Sequence, residues 1–368
     1  MAAEYGLAVA ALRRNDPSLT ALELNGITIP DVRALAEAIE ASTSLTKLRL
    51  GLNQIGDVGA AALAASVKAS TSLTELHIFR NSICDAGAAA LADAVKVSTT
   101  LTVLDLAYNS IGDAGAAALA EAVKASTTLT ALHLHYNYSI GHAGATALSD
   151  AVMVSGTLAA LDLTGDSIGD AGAVALADAL KSSASLTALK VDYSGIGDAG
   201  AAALAASVKV SATLTALHLS RNSIGDVGAA ALGEAVMVST TLTTLTLAAN
   251  RIGDAGAAAL ASALLAGTTL TALDLDGNVI SGAGEAALAD AAIASTSLLK
   301  LDLGGASRDH KRAIADVLAR NQRLAARAPA QREAAALVYL LLHGATRALA
   351  PPNVVVGVLA ALGPRPPL

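Results

Sequence analysis

Residues 101–128 read LTVLDLAYNSIGDAGAAALAEAVKASTT, and two periodicities follow one another inside that stretch. Leu104 and Leu106 alternate with Asp105 and Ala107, the period of two that sets leucines on one side of a β-strand and the intervening residues on the other. Ala117, Leu119 and Val123 then recur in an alanine-rich segment of high helix propensity. The unit is therefore strand, turn, helix. Asp113 stands at the start of the helix, where an N-cap is expected, and Lys124 in its last turn complements the helix dipole. The same Asp returns at Asp57, Asp85, Asp170, Asp198, Asp226 and Asp254.

The unit repeats along most of the chain. Its leading leucine recurs at Leu19, Leu45, Leu73, Leu101, Leu129, Leu158, Leu186, Leu214, Leu242, Leu270 and Leu298, which makes eleven copies of about 28 residues, shortened once near the start and lengthened once at Tyr138. A single unit buries too little apolar surface to offset the entropy of ordering it, so neighbours must stack and share one core. Strands stack more closely than helices, and the stack bends with its strands inside. The pattern LxxLxLxxNxIGDxGAxALAxAV over roughly residues 19–306 resembles the ribonuclease-inhibitor-like class of leucine-rich repeats, found in ribonuclease inhibitor, the sensor region of NOD-like receptors and the Ran GTPase-activating protein. The resemblance implies an α/β fold, a right-handed solenoid or horseshoe with a parallel β-sheet on the concave face and helices on the convex face. It also implies work by binding other macromolecules. The motif Asn, whose amide in this family bonds the backbone of adjacent coils, stands at Asn53, Asn81, Asn109, Asn137, Asn222, Asn250 and Asn278; Asp166 and Ser194 replace it in two consecutive units.

Three regions are expected: a helical N-terminal cap over 1–18, eleven repeats over 19–306, and a helical cap and tail over 307–368. Tyr5, Leu7, Val9 and Leu12 form the apolar face of the first cap; Ser307 is expected to cap an amphipathic helix carrying Ile314, Val317, Leu318 and Leu324, followed by helices near Gln331–His343 and Asn353–Leu362. From Ser307 onward nine basic residues face three acidic ones, against a whole-chain balance of 24 Lys+Arg and 31 Asp+Glu, and the tail reads as a solvated basic face rather than a nucleic-acid site because only Tyr339 interrupts it. A single Cys excludes a disulfide framework, 54% hydrophobic residues exclude a disordered chain, and no apolar run approaches a membrane span. The start shows no secretory signal, so a cytoplasmic or nuclear location is expected.

No catalytic constellation is expected. Gly165-Asp166-Ser167-Ile168-Gly169 fits GxSxG, yet its Ser is the one that recurs as Ser82, Ser110 and Ser223. Asn137-Tyr138-Ser139 fits a glycosylation sequon, but the ladder role of Asn137 argues against its use. The strand face is more informative. Four residues after each leading leucine stand, among others, Arg49, His77, Asp105, His133, Asp162, Lys190 and His218; position six adds Phe79, His135 and Asp192, and position seven adds Arg80, Tyr108, Tyr136, Tyr193 and Arg221. With the inserted Tyr138, five of the seven aromatic residues of the chain fall here, beside arginines, in the mixture that dominates interface hot spots. These residues are the expected partner-binding surface, for a protein rather than a nucleic acid, a membrane or a small molecule, and no cofactor is implied. His77, Asp105, His133, His135 and Asp162 suggest a metal site because His and Asp alternate across adjacent strands, but none is expected, because His77 and His133 stand two strands, about 10 Å, apart and cross-strand charge pairing explains the alternation. Two other functions suggested by resemblance are a GTPase activator of the Ran-activator type, against which the basic tail speaks, and a ubiquitin-ligase adaptor using an F-box-like segment at Leu349–Gly363, where Asn353 replaces the usual Glu.

Overall fold

The structure is a computed structural model that describes residues 2–305 and 308–326. The expected cap at Ser307, the two tail helices and the F-box-like segment lie outside the described residues. Eleven three-residue strands, β1 (Ala21–Glu23), β2 (Lys47–Arg49), β3 (Glu75–His77), β4 (Val103–Asp105), β5 (Ala131–His133), β6 (Ala160–Asp162), β7 (Ala188–Lys190), β8 (Ala216–His218), β9 (Thr244–Thr246), β10 (Ala272–Asp274) and β11 (Lys300–Asp302), form one parallel sheet in chain order. The helices are α1 (Ala2–Arg13), α2 (Val32–Glu40), α3 (Gly56–Ala69), α4 (Asp85–Val95), α5 (Asp113–Ala125), α6 (His142–Val154), α7 (Gly169–Leu180), α8 (Asp198–Val208), α9 (Asp226–Val238), α10 (Asp254–Leu265), α11 (Gly282–Ala294) and α12 (Arg308–Ala325). Each helix packs on the next, so the molecule is a leucine-rich-repeat solenoid with a strand face and a helix face.

One continuous core runs the length of the stack. In the fourth coil it takes Leu101, Leu104, Leu106 and Ile111 from the strand and turn, and Ala116, Leu119, Ala120 and Val123 from α5. Register survives both irregular coils: Leu22 pairs with Leu48 across the short one, and Leu132 with Leu161 across the long one. The extra residue is absorbed after Asn137, in the turn that exposes Tyr138.

The Asn ladder forms as the resemblance implies. Asn109 Oδ1 accepts from the backbone N–H of Asn81 (2.9 Å) and Ile83 (3.0 Å), and its Nδ2 donates to the carbonyls of Ile78 (3.2 Å) and Leu106 (3.0 Å). Asn137 is fully buried with its amide in the same bonds, which removes it as a glycosylation acceptor.

The recurring Asp departs from expectation. Asp113 does not cap its own helix; α5 has Gly112 at its N-cap with no side-chain bond. Asp113 Oδ1 instead accepts from the N–H groups of Gly141 (2.7 Å) and Gly144 (2.8 Å), the N-cap and third residue of α6 in the next coil. Asp57, Asp85, Asp170, Asp198, Asp226 and Asp254 do the same one coil ahead. One carboxylate oxygen thus satisfies two orphan amides where the helix dipole favours negative charge. The glycine three residues into the helix is obligatory for this approach, since a Cβ on Gly115 would stand 2.6 Å from Asp85 Oδ1 and 2.7 Å from Ile111 Cγ2.

His142 breaks the series, and the backbone answers. α7 starts on Gly169 at φ +60, with the Gly169 N–H turned to the Ser194 carbonyl (2.9 Å); α3, which also lacks an upstream partner because Asp31 caps its own helix, starts on Gly56 at φ +60 with its N–H on the Asn81 carbonyl. His142→Asp is therefore expected to restore the bonds to Gly169 and Gly172 and to stabilise the array by about 1 kcal/mol, read by chemical denaturation. An unchanged midpoint would show that the left-handed start is equally stable.

At the ends, α1 packs against α2 and buries Val9 and Leu12, but Leu7 faces solvent at 71% exposure, against the sequence expectation. α12 buries Ile314, Val317 and Leu324 and lies against α11 and β11. Its Asn321 donates to the carbonyls of Ser295 (3.0 Å) and Leu298 (2.7 Å), the pair of acceptors that in an internal coil, such as Ser98 and Leu101, are taken by the next Thr hydroxyl. No helix among the described residues is long and apolar enough to cross a membrane.

Candidate functional site on the strand face

The parallel register sets the fourth-position residues in a row, Arg49, His77, Asp105, His133, Asp162, Lys190 and His218, each the last residue of its strand. Asp105 and Asp162 each stand between basic or imidazole neighbours in the row, and contacts hold this face together. Lys47 reaches Glu75 at 2.8 Å, and His77 is gripped by Glu75 (3.1 Å) and Asp105 (3.2 Å). The hydrogen bond to Asp105 raises the His77 pKa despite burial. His133 and His218 shift the other way, because burial outweighs their carboxylate neighbours, so both favour the neutral imidazole. Asp162 is buried, with Oδ1 accepting from the Thr164 N–H and Oδ2 facing Lys190 at 3.4 Å.

Position six is partly structural. Phe79 is half-buried with its ring over the backbone of Gly51, where a Cβ would meet it at 2.3 Å. Asp192 accepts from the Ser220 N–H of the next coil, and burial raises its pKa; this carboxylate staples two coils together rather than standing free for a partner. His135 lies edge-on to Tyr108 and Tyr136, with centroids at 5.6 and 5.9 Å.

Position seven carries the least expected feature. The turn there is left-handed in the first ten coils, with φ between +51 and +76. Gly26, Gly165 and Gly277 fill it in three coils, as the conformation favours, but Arg80, Tyr108, Tyr136, Tyr193 and Arg221 fill it in five others. Each large residue there costs about 1 kcal/mol relative to glycine. Part of that is recovered by stacking: the Arg80 guanidinium lies 4.4 Å over the Tyr108 ring, and Tyr108 and Tyr136 stack at 4.4 Å and 27°. Tyr136 in turn covers Gly165, where a Cβ would stand 2.4 Å from its ring. Tyr138 (60% exposed) and Tyr193 (56%) stay open to solvent and, with Gly165 and Arg221, line an open cleft of about 440 Å³.

Of the expected surface residues, Arg80, Tyr108, Tyr136 and Tyr138 thus form one ring ladder, while Tyr193 and Arg221 stand beyond the Gly165 gap. Ser167 of the GxSxG string sits in the turn between β6 and α7 and donates to the Tyr138 carbonyl (3.1 Å), with no imidazole bonded to it among the described residues.

A leucine-rich repeat family model matches residues 41–64, 69–92, 97–120, 125–149, 182–205, 210–233, 238–261 and 268–289. The chain belongs to the leucine-rich repeat family. Its repeats are of the ribonuclease-inhibitor-like kind, and that fold is one of protein interaction. The segment between 149 and 182, which no match covers, holds Gly165, Asp166 and Gly169, where the coil is irregular. Among solved structures, this leucine-rich repeat chain is similar in fold to an internalin from Listeria monocytogenes at 20% identity, covering 85% of this chain and 92% of that one with a TM-score of 0.50. It is also similar to a chain of the yeast Rad7–Elc1 complex at 14% identity, covering 85% and 79% with a TM-score of 0.53. No curated protein matches it in sequence.

Proposed function

We propose that this chain is a non-enzymatic protein-binding scaffold that holds its partner across the strand face and the left-handed turns of coils three to eight. The observation that carries the reading is the occupancy of position seven. Tyr108, Tyr136, Tyr193, Arg80 and Arg221 stand in a backbone conformation that other coils of the same molecule give to glycine. Folding gains nothing from that choice at Tyr193, whose ring is more than half exposed. Rings and guanidinium groups that are fixed in place and solvent-facing lose little entropy on binding, which is why such residues dominate interface hot spots. That the similar yeast structure is a complex of Rad7 with Elc1 supports a scaffold role for the fold in general.

The test separates recognition from folding. Replacing Phe79, Tyr108, Tyr136 and Tyr193 together by Ala should abolish capture of the protein that the wild-type chain retains from its native extract, identified by mass spectrometry and re-tested in purified form. Tyr193→Gly alone should raise stability by about 1 kcal/mol while weakening the same complex. Capture unchanged in the quadruple variant would move the binding surface elsewhere on the molecule.

A further inference from the structure

We infer that His133, His135 and Asp162 form a binding site for one divalent transition-metal ion of the zinc, cobalt or nickel type. Each offers a ligand atom, and these atoms all lie within 4.8 Å of one another. His77 stands two strands from His133 and takes no part in the site. The structure assembles a different set: His133 ends β5, His135 follows two residues later on the same face, and both flank Asp162 at the end of the neighbouring β6.

The contacts themselves favour an ion over simple charge pairing. Asp162 Oδ2 stands 3.7 Å from His135 Nδ1, 4.0 Å from His133 Nδ1 and 3.4 Å from Lys190 Nζ. Three cation-capable groups surround one buried oxygen, and neither imidazole closes to bonding distance. Two coils earlier the same residue types do close, with His77 bonding Asp105 at 3.2 Å and Glu75 at 3.1 Å, so that both its ring nitrogens are taken. His135 Nδ1, by contrast, is shielded from solvent and has no hydrogen-bond partner. A buried ring nitrogen of that kind is costly unless something occupies it.

The spacing suits a metal. Tetrahedral zinc with bonds near 2.0–2.1 Å sets its ligand atoms about 3.3 Å apart, so the His135–Asp162 and His133–Asp162 legs must shorten by about 0.4 and 0.7 Å and the His133–His135 leg by at most about 1.5 Å, within reach of side-chain rotation. Two imidazoles and one carboxylate select a borderline transition ion over calcium or magnesium, which prefer oxygen donors. Lys190, 43% exposed at its side chain, is then a competitor for Oδ2 that can swing away. Three protein ligands leave a coordination position open on the strand face.

Titration of the tag-free full-length chain with Co²⁺, followed by visible absorption and by Zn²⁺ displacement, tests the site. One ion per chain is expected, with the intense visible bands of a four-coordinate centre. His133→Ala and His135→Ala should each weaken binding at least about tenfold. Lys190→Met should strengthen it severalfold, an effect that an ion pair without a metal role does not produce, while His77→Ala should leave it unchanged. Absence of a one-to-one complex at high micromolar metal would overturn the assignment. So would equal affinity in wild type and the His133/His135 double variant, both shown folded by circular dichroism.

Discussion

Replacing Asp166 by Asn should stabilise the array by roughly 4 kcal/mol at pH 7, and by almost nothing at pH 4. Asp166 occupies the ladder position that Asn holds in seven other coils, and it is 1% exposed. Its Oδ1 accepts from the Asn137 N–H at 2.7 Å, as an Asn oxygen would, but its Oδ2 has no partner. In regular coils the Asn Nδ2 at this point donates to two backbone carbonyls, and the equivalent ones here belong to Leu134 and Leu163. A carboxylate oxygen facing carbonyls is repelled, whereas a protonated one can donate. Burial accordingly pushes the Asp166 pKa up to about 9. The folded chain keeps its proton where the unfolded chain, near the ordinary Asp value, has released it. Stability is therefore complete below about pH 4 and falls by about 1.4 kcal/mol per unit as pH rises toward about 9, where the folded group ionises. Asn supplies the donor at every pH and removes that slope. Urea denaturation of both proteins at pH 4, 7 and 9 measures it, and parallel pH profiles would show that Asp166 is not protonated in the fold.

The second large effect runs in the opposite direction. Asn109→Ala should destabilise by about 3–4 kcal/mol, because it strips the partners from two N–H groups and the Ile78 carbonyl at once in the dry interior, leaving the Leu106 carbonyl only the Asn137 amide. Asn278→Ala, near the end of the array and only partly buried, should cost clearly less, although its amide makes the same pair of carbonyl bonds. Equal losses at the two positions would mean that the ladder is not gauged by burial. Because long repeat arrays unfold in parts, hydrogen exchange at the Asn81 and Ile83 amides is the more local readout.

Much of this architecture is legible before folding. The alternation around Leu104 and the alanine helix follow from side-chain size and spacing within one unit, and the Asn ladder is what the family resemblance implies. What escapes a reading of one unit is what only stacking creates. Asp113 looks like a cap for the helix it begins, and only the neighbour 28 residues on reveals Gly141 and Gly144 as its donors. The left-handed backbone at Tyr108 is hidden because Tyr carries no conformational signature; Gly26, Gly165 and Gly277 at the matching position were the available signal. The His133, His135 and Asp162 cluster is set aside when the His77–His133 separation alone is used to judge the row, since His135 enters from position six of the same coil as His133. Asp192 counts among the exposed charges on the strand face until the Ser220 amide is seen to claim it.

The forward-reaching carboxylates have a consequence for how such a molecule could lengthen. Every regular coil carries one acceptor for its successor and two amides for its predecessor, so any in-frame copy of 28 residues inserts with both halves of each joint matched, wherever the break falls in the unit. Tandem duplication needs no compensating substitution between Asp170 and Gly256, where three successive joints are interchangeable. The join that follows His142 lacks this portability, because a copy inserted there meets the left-handed start at Gly169 in place of a carboxylate.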